Sequence, residues 1–193
     1  MPTLKKLVLI SLCILVISCS THTIDGSKTK SVSDLSAPRK FPVISFNIPK
    51  NPWPPVYNTA AVQTSFEASN LFTQVIPDYK KLGGRATDGL YIETSITNND
   101  NTNPFLAIVS ILTMGVIPMR LVYDYHIKSD IYIDRKKVKT YHDTITTATL
   151  FSVLFPTPLL FGHSEDDMKQ LFAIRYVSNL LTQMNQDNIA FNK

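Results

Sequence analysis

Two cysteines, four histidines and a scatter of carboxylates are the residues of this chain with the chemistry for nucleophilic attack, metal binding or proton transfer. Cys13 and Cys19 both sit near the N-terminus, and no cysteine follows. That excludes a disulfide framework, a thiolate zinc site and a cysteine nucleophile from the body. The histidines are His22, His126, His142 and His163. No HExxH, GxSxG or EF-hand loop surrounds any of them. Asp124, His126 and a serine can be drawn as a triad, but such sets arise by chance in any chain this long. His163 precedes Glu165, Asp166 and Asp167, a possible cation cluster. Acids at the start of a helix capped by Ser164 account for the same residues through the helix dipole. Gly83-Gly84 lacks the further Gly or Gly-Lys of a phosphate-cradling loop. The basic residues form no stripe interleaved with aromatics, so nucleic acid is not an expected partner. The expectation is a protein that is not an enzyme, with no catalytic residue, no metal and no organic cofactor.

The chemistry that remains lies at the N-terminus. Lys5 and Lys6 precede an apolar run over residues 7–17, broken by Ser11 and Cys13. At about eleven residues this run suits a secretory signal and falls short of the roughly 20 needed to span a bilayer. It ends in Val16-Ile17-Ser18-Cys19. This resembles the bacterial lipobox: an aliphatic residue, a second aliphatic, a small residue and the cysteine. The resemblance implies a diacylglycerol thioether on Cys19, cleavage before it, and acylation of the new amino group. Cys13 would leave with the leader. Several acyl chains hold firmly where one is marginal. Ser20, rather than Asp, follows the cysteine, and by the family's sorting rule this implies the outer membrane with the body facing the periplasm.

Residues 1–18 are thus expected as a signal peptide, 19–40 as a lipidated cysteine and flexible tether, and 41–193 as one domain. The stretch 20–40 is rich in Ser, Thr and Lys with few apolar residues. As a random coil it would let the domain sit about 25 Å off the membrane. Losing residues 1–18 removes Lys5 and Lys6 and no acid, so the net charge falls from +4 to +2. Hydrophobic residues make up 44% of the chain and charged residues 18%, enough for a packed core.

Several elements must position whatever the body does. Ile44, Phe46 and Ile48 alternate with Ser45 and Asn47 as a strand. Pro49 to Pro55 is a stiff stretch carrying Trp53, which covers a core edge or docks as an exposed aromatic. Asn58 is placed to cap a helix with Ala61, Val62, Phe66, Leu71 and Phe72 on its apolar face, ended by Pro77. Leu90, Ile92, Thr94 and Ile96 share one face of a strand that begins after Gly89, and residues 98–103 read as a polar turn. Residues 120–133 and 138–149 read as a long hairpin around a turn at Asp134-Arg135-Lys136-Lys137. That turn sets Ile133 opposite Val138 and Lys128 opposite Asp143, and sends His126 and His142 to opposite faces. A last helix carries Ile174, Tyr176, Val177, Leu180, Leu181 and Met184 as its apolar stripe.

The order predicts an α+β fold: a small, largely antiparallel sheet of about four strands, with two helices packed on one face. It resembles the periplasmic lipoproteins of the lipopolysaccharide-assembly type and related auxiliary lipoproteins of envelope transporters, over roughly residues 41–184. Ser69-Asn70-Leu71-Phe72-Thr73-Gln74-Val75, then Asp88-Gly89-Leu90-Tyr91-Ile92-Glu93, carry that likeness.

Two uncharged segments depart from that pattern. Residues 105–119 (FLAIVSILTMGVIPM) enter the hairpin, and residues 148–162 (ATLFSVLFPTPLLFG) leave it. Each has about fifteen residues, too few for a comfortable span. They meet at the end of the hairpin opposite its charged turn. The candidate membrane or partner contacts are Phe105, Leu106, Ile108, Ile111, Leu112, Met114, Val116 and Ile117 from the first, with Leu150, Phe151, Leu154, Phe155, Leu159, Leu160 and Phe161 from the second. They form a buried core layer or an apolar surface for membrane, lipid or protein. The functional expectation is an outer-membrane lipoprotein acting by binding, as an accessory or assembly factor of a cell-envelope complex. The alternatives are a periplasmic carrier of lipid or a small apolar ligand and, behind it, a periplasmic hydrolase.

Overall fold

A short alternating strand, a capped helix and a second short strand form the first unit of the body, a parallel βαβ turn. The computed structural model describes residues 19–24, 43–48, 57–77, 89–152 and 165–189. Strand β2 (Val43–Asn47) buries Ile44 and Phe46. Helix α1 (Thr59–Ala68) starts where expected: the Asn58 side chain accepts from the Ala61 amide at 2.5 Å. It buries Val62 and Phe66 and ends at Ser69 and Asn70, the latter at φ 55°. Pro77 is therefore not its terminator. Between them lies β3 (Gln74–Ile76), a strand too short to show a period.

Three long strands follow. β4 (Leu90–Asp100) is preceded by Gly89, whose φ of +149° few L-residues adopt. Helix α2 (Pro104–Leu112) connects it to β5 (Met119–Ile133), and β6 (Lys136–Ser152) returns. Helix α3 (Glu165–Gln186) closes the described chain. The first strand, β1 (Cys19–Ile24), lies in the region expected to be a tether. It pairs antiparallel with β6 over its whole length, from Cys19 opposite Ser152 to Ile24 opposite Thr147. The sheet order is β1-β6-β5-β4-β2-β3, with β2 parallel to both of its neighbours and the other pairs antiparallel.

The class is α+β as expected, but the described residues hold six strands and three helices rather than about four and two. Two of the helices, α1 and α3, do share one face. Phe46 meets Phe66 of α1 at 5.4 Å between ring centroids, and Tyr125 of β5 meets Phe172 of α3 edge-on at 5.7 Å. Ile92, Ile127, Ile131 and Ile145 fill the sheet side of this layer, completely buried or nearly so. Its polar node is Tyr176. Thr94 and Ser129 are cross-strand partners, and the buried Tyr176 hydroxyl lies 2.7 Å from Thr94 Oγ1 and 3.1 Å from Ser129 Oγ. Burial pushes the phenol up, so it stays neutral. On α3, Phe172 and Ala173 are buried and Ile174 is 42% exposed, so the stripe begins earlier than expected and excludes Ile174.

The hairpin register also differs. Asp134 and Arg135 alone make the turn, both at positive φ (48° and 69°), the backbone of a two-residue hairpin loop. Ile133 therefore faces Lys136, and a bulge between Ile131 and Tyr132 shifts the ladder beyond it. Lys128 lies opposite His142, not Asp143. The turn was hidden because Asp-Arg is not the Asn-Gly or Asp-Gly pair that marks such loops.

Candidate functional site

Helix α2 is built by strong local signals in spite of its apolar composition. Asn103 Oδ1 accepts from the amides of Phe105 (3.0 Å) and Leu106 (3.3 Å), and Pro104 occupies the first turn. At the other end the Gly115 amide donates to the Ser110 carbonyl at 2.7 Å and the Met114 amide to the Ile111 carbonyl at 3.0 Å. This pair of bonds is a Schellman closure, with Met114 (φ 53°) at the position that favours glycine. The entry is tied to β5: the Asn101 amide donates to Val122 O at 2.8 Å, and the Val122 amide to Thr102 Oγ1 at 3.1 Å.

The side chains of this helix are arranged opposite to those of a water-facing helix. Ser110 is buried, whereas Phe105 (70% exposed), Ile111 (71%), Leu112 (77%) and Met114 (85%) stand out. Leu106, Ile108, Val116 and Ile117 are exposed as well. All eight residues named from the first apolar segment are therefore exposed rather than part of a core layer. In the second segment Leu150 is half-buried, and β6 carries the chain as far as Ser152. Phe151 is placed in β6 by its backbone. Leu154, Phe155, Leu159, Leu160 and Phe161 lie outside the described residues, as do Trp53, Gly83-Gly84, His163 and Ser164.

Cys19 belongs to the same end of the sheet as α2. Its register partner Ser152 donates from Oγ to the Gly115 carbonyl at 3.4 Å, immediately after α2. The neighbouring pair in the ladder is Phe151 with Met119, the first residue of β5. Charge closes the stretch on either side: Arg120 is exposed, and Asp100 accepts from the Thr102 amide at 2.8 Å. The hydrogen bonds from Thr102 hold the Asp100 carboxyl below the usual carboxylate range. The turn at Asp134-Arg135, with Lys136 and Lys137, lies at the far end of β5, about 45 Å away at ~3.3 Å per residue. No described helix is long and apolar enough to cross a membrane.

The acid–base residues gather elsewhere. His126 and His142 share the outer face of the sheet, because Thr144 opposes His126 and Lys128 opposes His142. The register read from the sequence puts them on opposite faces; the two-residue turn alone would keep that, and the one-residue bulge between Ile131 and Tyr132 reverses it. His126 and Asp124 each meet other side chains. His126 lies 3.1 Å from Thr144 Oγ1 and 3.2 Å from Asn99 Nδ2. Asp124 accepts from Thr146 at 2.6 Å and from Asn101 at 2.5 Å. No cluster of three or more potential metal ligands occurs among the described residues.

The spaces bounded by described side chains include a groove and a small cavity. One, between α1 and α3, is an open groove of about 530 Å³ lined by Ala60, Ala61, Thr64, Ala68, Gln170 and Ile174 among others. The other, beside Tyr176 and Tyr141, has about 10 Å³, room for one water.

No family model matches the chain, and no curated protein matches it. Among solved structures it is similar to the minor lipoprotein from Acinetobacter baumannii, at 13% identity and a TM-score of 0.40, covering 79% of this chain and 98% of that one. It is also similar to the rare lipoprotein B from Shewanella oneidensis, at 12% identity and a TM-score of 0.42, covering 76% of this chain and 96% of that one.

Proposed function

We propose that this chain is a lipoprotein of the cell envelope, anchored through Cys19 and acting by binding rather than catalysis. The anchor reading rests on Lys5, Lys6, the apolar run and Val16-Ile17-Ser18-Cys19. Ser20 favours the outer membrane, with the body in the periplasm. The binding reading is carried by one observation: α2 turns its apolar side chains outward and its serine inward. Hydrophobic surface of this kind marks a contact site rather than a core. The role that fits is an accessory or assembly factor of an envelope complex, working at the membrane-proximal end of its sheet. A carrier of lipid or of a small apolar ligand has less support, since the groove between α1 and α3 is open and walled by small and polar side chains.

Metabolic labelling with palmitate tests the anchor. Label is expected in the wild-type protein and lost in Cys19→Ala; label retained in that variant would refute anchoring at this residue. Photocrosslinkers placed at Phe105 and Met114 in cells test the binding surface. Capture of lipid or of an envelope protein is expected, and equal background at both positions and at exposed Val138 would refute it.

A further inference from the structure

We infer that α2 is a second, non-covalent membrane contact, which enters the same lipid leaflet as the acyl chains on Cys19. The inference rests on the lipoprotein reading and names the ligand of its apolar surface: the bilayer itself.

The register carries the argument. Cys19 pairs with Ser152, Ser152 bonds to Gly115, and Gly115 bonds back to Ser110 in the last turn of α2. With strands about 4.8 Å apart, the lipidated residue and the end of α2 lie on the order of 10 Å from each other. Because residues 19–24 are paired with β6, no slack separates the anchor from the sheet. Acyl chains leaving Cys19 fix the bilayer surface against this end of the molecule, where α2 is presented.

The chemistry of α2 fits that surface. No charged residue occurs between Asp100 and Arg120. Its nine residues span about 13 Å at ~1.5 Å each, enough to lie in the headgroup–acyl boundary and too little to cross. Arg120, exposed beside it, can extend to lipid phosphates while its stem stays in apolar surroundings. Asn101 and Asn103 flank the helix with polar side chains suited to the headgroup layer. A helix this short binds weakly alone, but the anchor holds it at high effective concentration beside the lipid. The charged turn at the far end of β5 and β6 would then project into the periplasm.

The protein's own chemistry supplies the test. Once Cys19 is acylated and Cys13 has left with the leader, the chain is free of thiols. Single cysteines introduced as Ile111→Cys, Leu112→Cys and Val138→Cys can each carry an environment-sensitive fluorophore. The three sites are exposed, so the fold is not perturbed. The acylated full-length protein is reconstituted in vesicles of phosphatidylethanolamine and phosphatidylglycerol with brominated acyl chains. Quenching several-fold stronger at 111 and 112 than at 138 is expected. Equal, weak quenching at all three in protein whose Cys19 is acylated by mass would overturn the proposal and leave the lipoprotein reading intact. Capture of a protein by a crosslinker at 111, with no lipid quenching there, would overturn it in favour of a protein partner. Cys19 found without acyl chains would overturn both.

Discussion

Ser152 stands opposite Cys19 in the β1–β6 ladder, and its hydroxyl reaches across to the carbonyl of Gly115. One small side chain thus joins the residue expected to carry lipid to the closure of the apolar helix. It converts two separate sequence features, a lipobox and an uncharged segment, into one end of one sheet. The consequence is mechanical. A protein on a coil of about 21 residues could sample many orientations at the membrane. One whose anchor residue begins a paired strand is held end-on.

The paired strand can be read by hydrogen exchange. Amides of β1 that bond to β6 are expected to exchange far more slowly than those of an unstructured segment. Uniformly fast exchange across residues 20–24 would contradict the strand and restore the tether.

Tyr176 tests the polar node in the core. Tyr176→Phe removes a buried hydroxyl shared by Thr94 and Ser129, and is expected to cost about 1–2 kcal/mol. Adding Thr94→Val should recover part of that loss, since one orphaned hydroxyl goes with it. Denaturant unfolding of the single and double variants measures both terms.

Met114 occupies the glycine position of the α2 closure at φ 53°. Met114→Gly is expected to stabilise the fold by about 0.5–1 kcal/mol, because a left-handed backbone suits glycine. In vesicles the same change should weaken membrane contact, since it deletes the most exposed of the large apolar side chains among the described residues. Thermal melts in detergent and fluorescence quenching in vesicles separate the two effects.

The acid side of the stability profile follows from three carboxylates. Burial alone would raise Asp130, but bonds from Lys137 (2.8 Å) and Thr140 (2.7 Å) outweigh it and hold the carboxyl low. Asp187 is held low by the Tyr141 hydroxyl at 2.7 Å and by Lys139 at 3.0 Å, and Asp100 by Thr102. A depressed folded-state value means these groups stabilise the fold at pH above their unfolded values and lose that effect as pH falls through the folded ones. Tm should therefore be flat down to about pH 5 and fall below about pH 4. Asp130→Asn should lower Tm at neutral pH and reduce its fall in acid.

The sequence carried much of the architecture. Period-two alternation marked the buried faces of β2 and β4, Asn58 marked the start of α1, and the spacing in α3 marked its stripe from Tyr176 onward. Elements whose signal lies outside periodicity were hidden. β3 is three residues long, and β1 reads as a polar linker because an edge strand of Ser, Thr and His has no apolar alternation. The turn at Asp134-Arg135 lacks the glycine its backbone favours, and the bulge beyond it has no sequence signal; together they leave the register one residue from the expected one, and the bulge sets the face of His142. Helix α2 had a legible signature in Asn103-Pro104, a cap followed by proline, which the apolar run obscured. The candidate surface was legible as composition. Its union with Cys19 was not, because only the β1–β6 register brings them together.

The most direct test is the mass of the N-terminal peptide of the protein extracted from membranes. The account predicts a peptide that begins at Cys19 and carries a diacylglycerol thioether and an acylated amino group. An unmodified Cys19, or a chain that still contains residues 1–18, would contradict it.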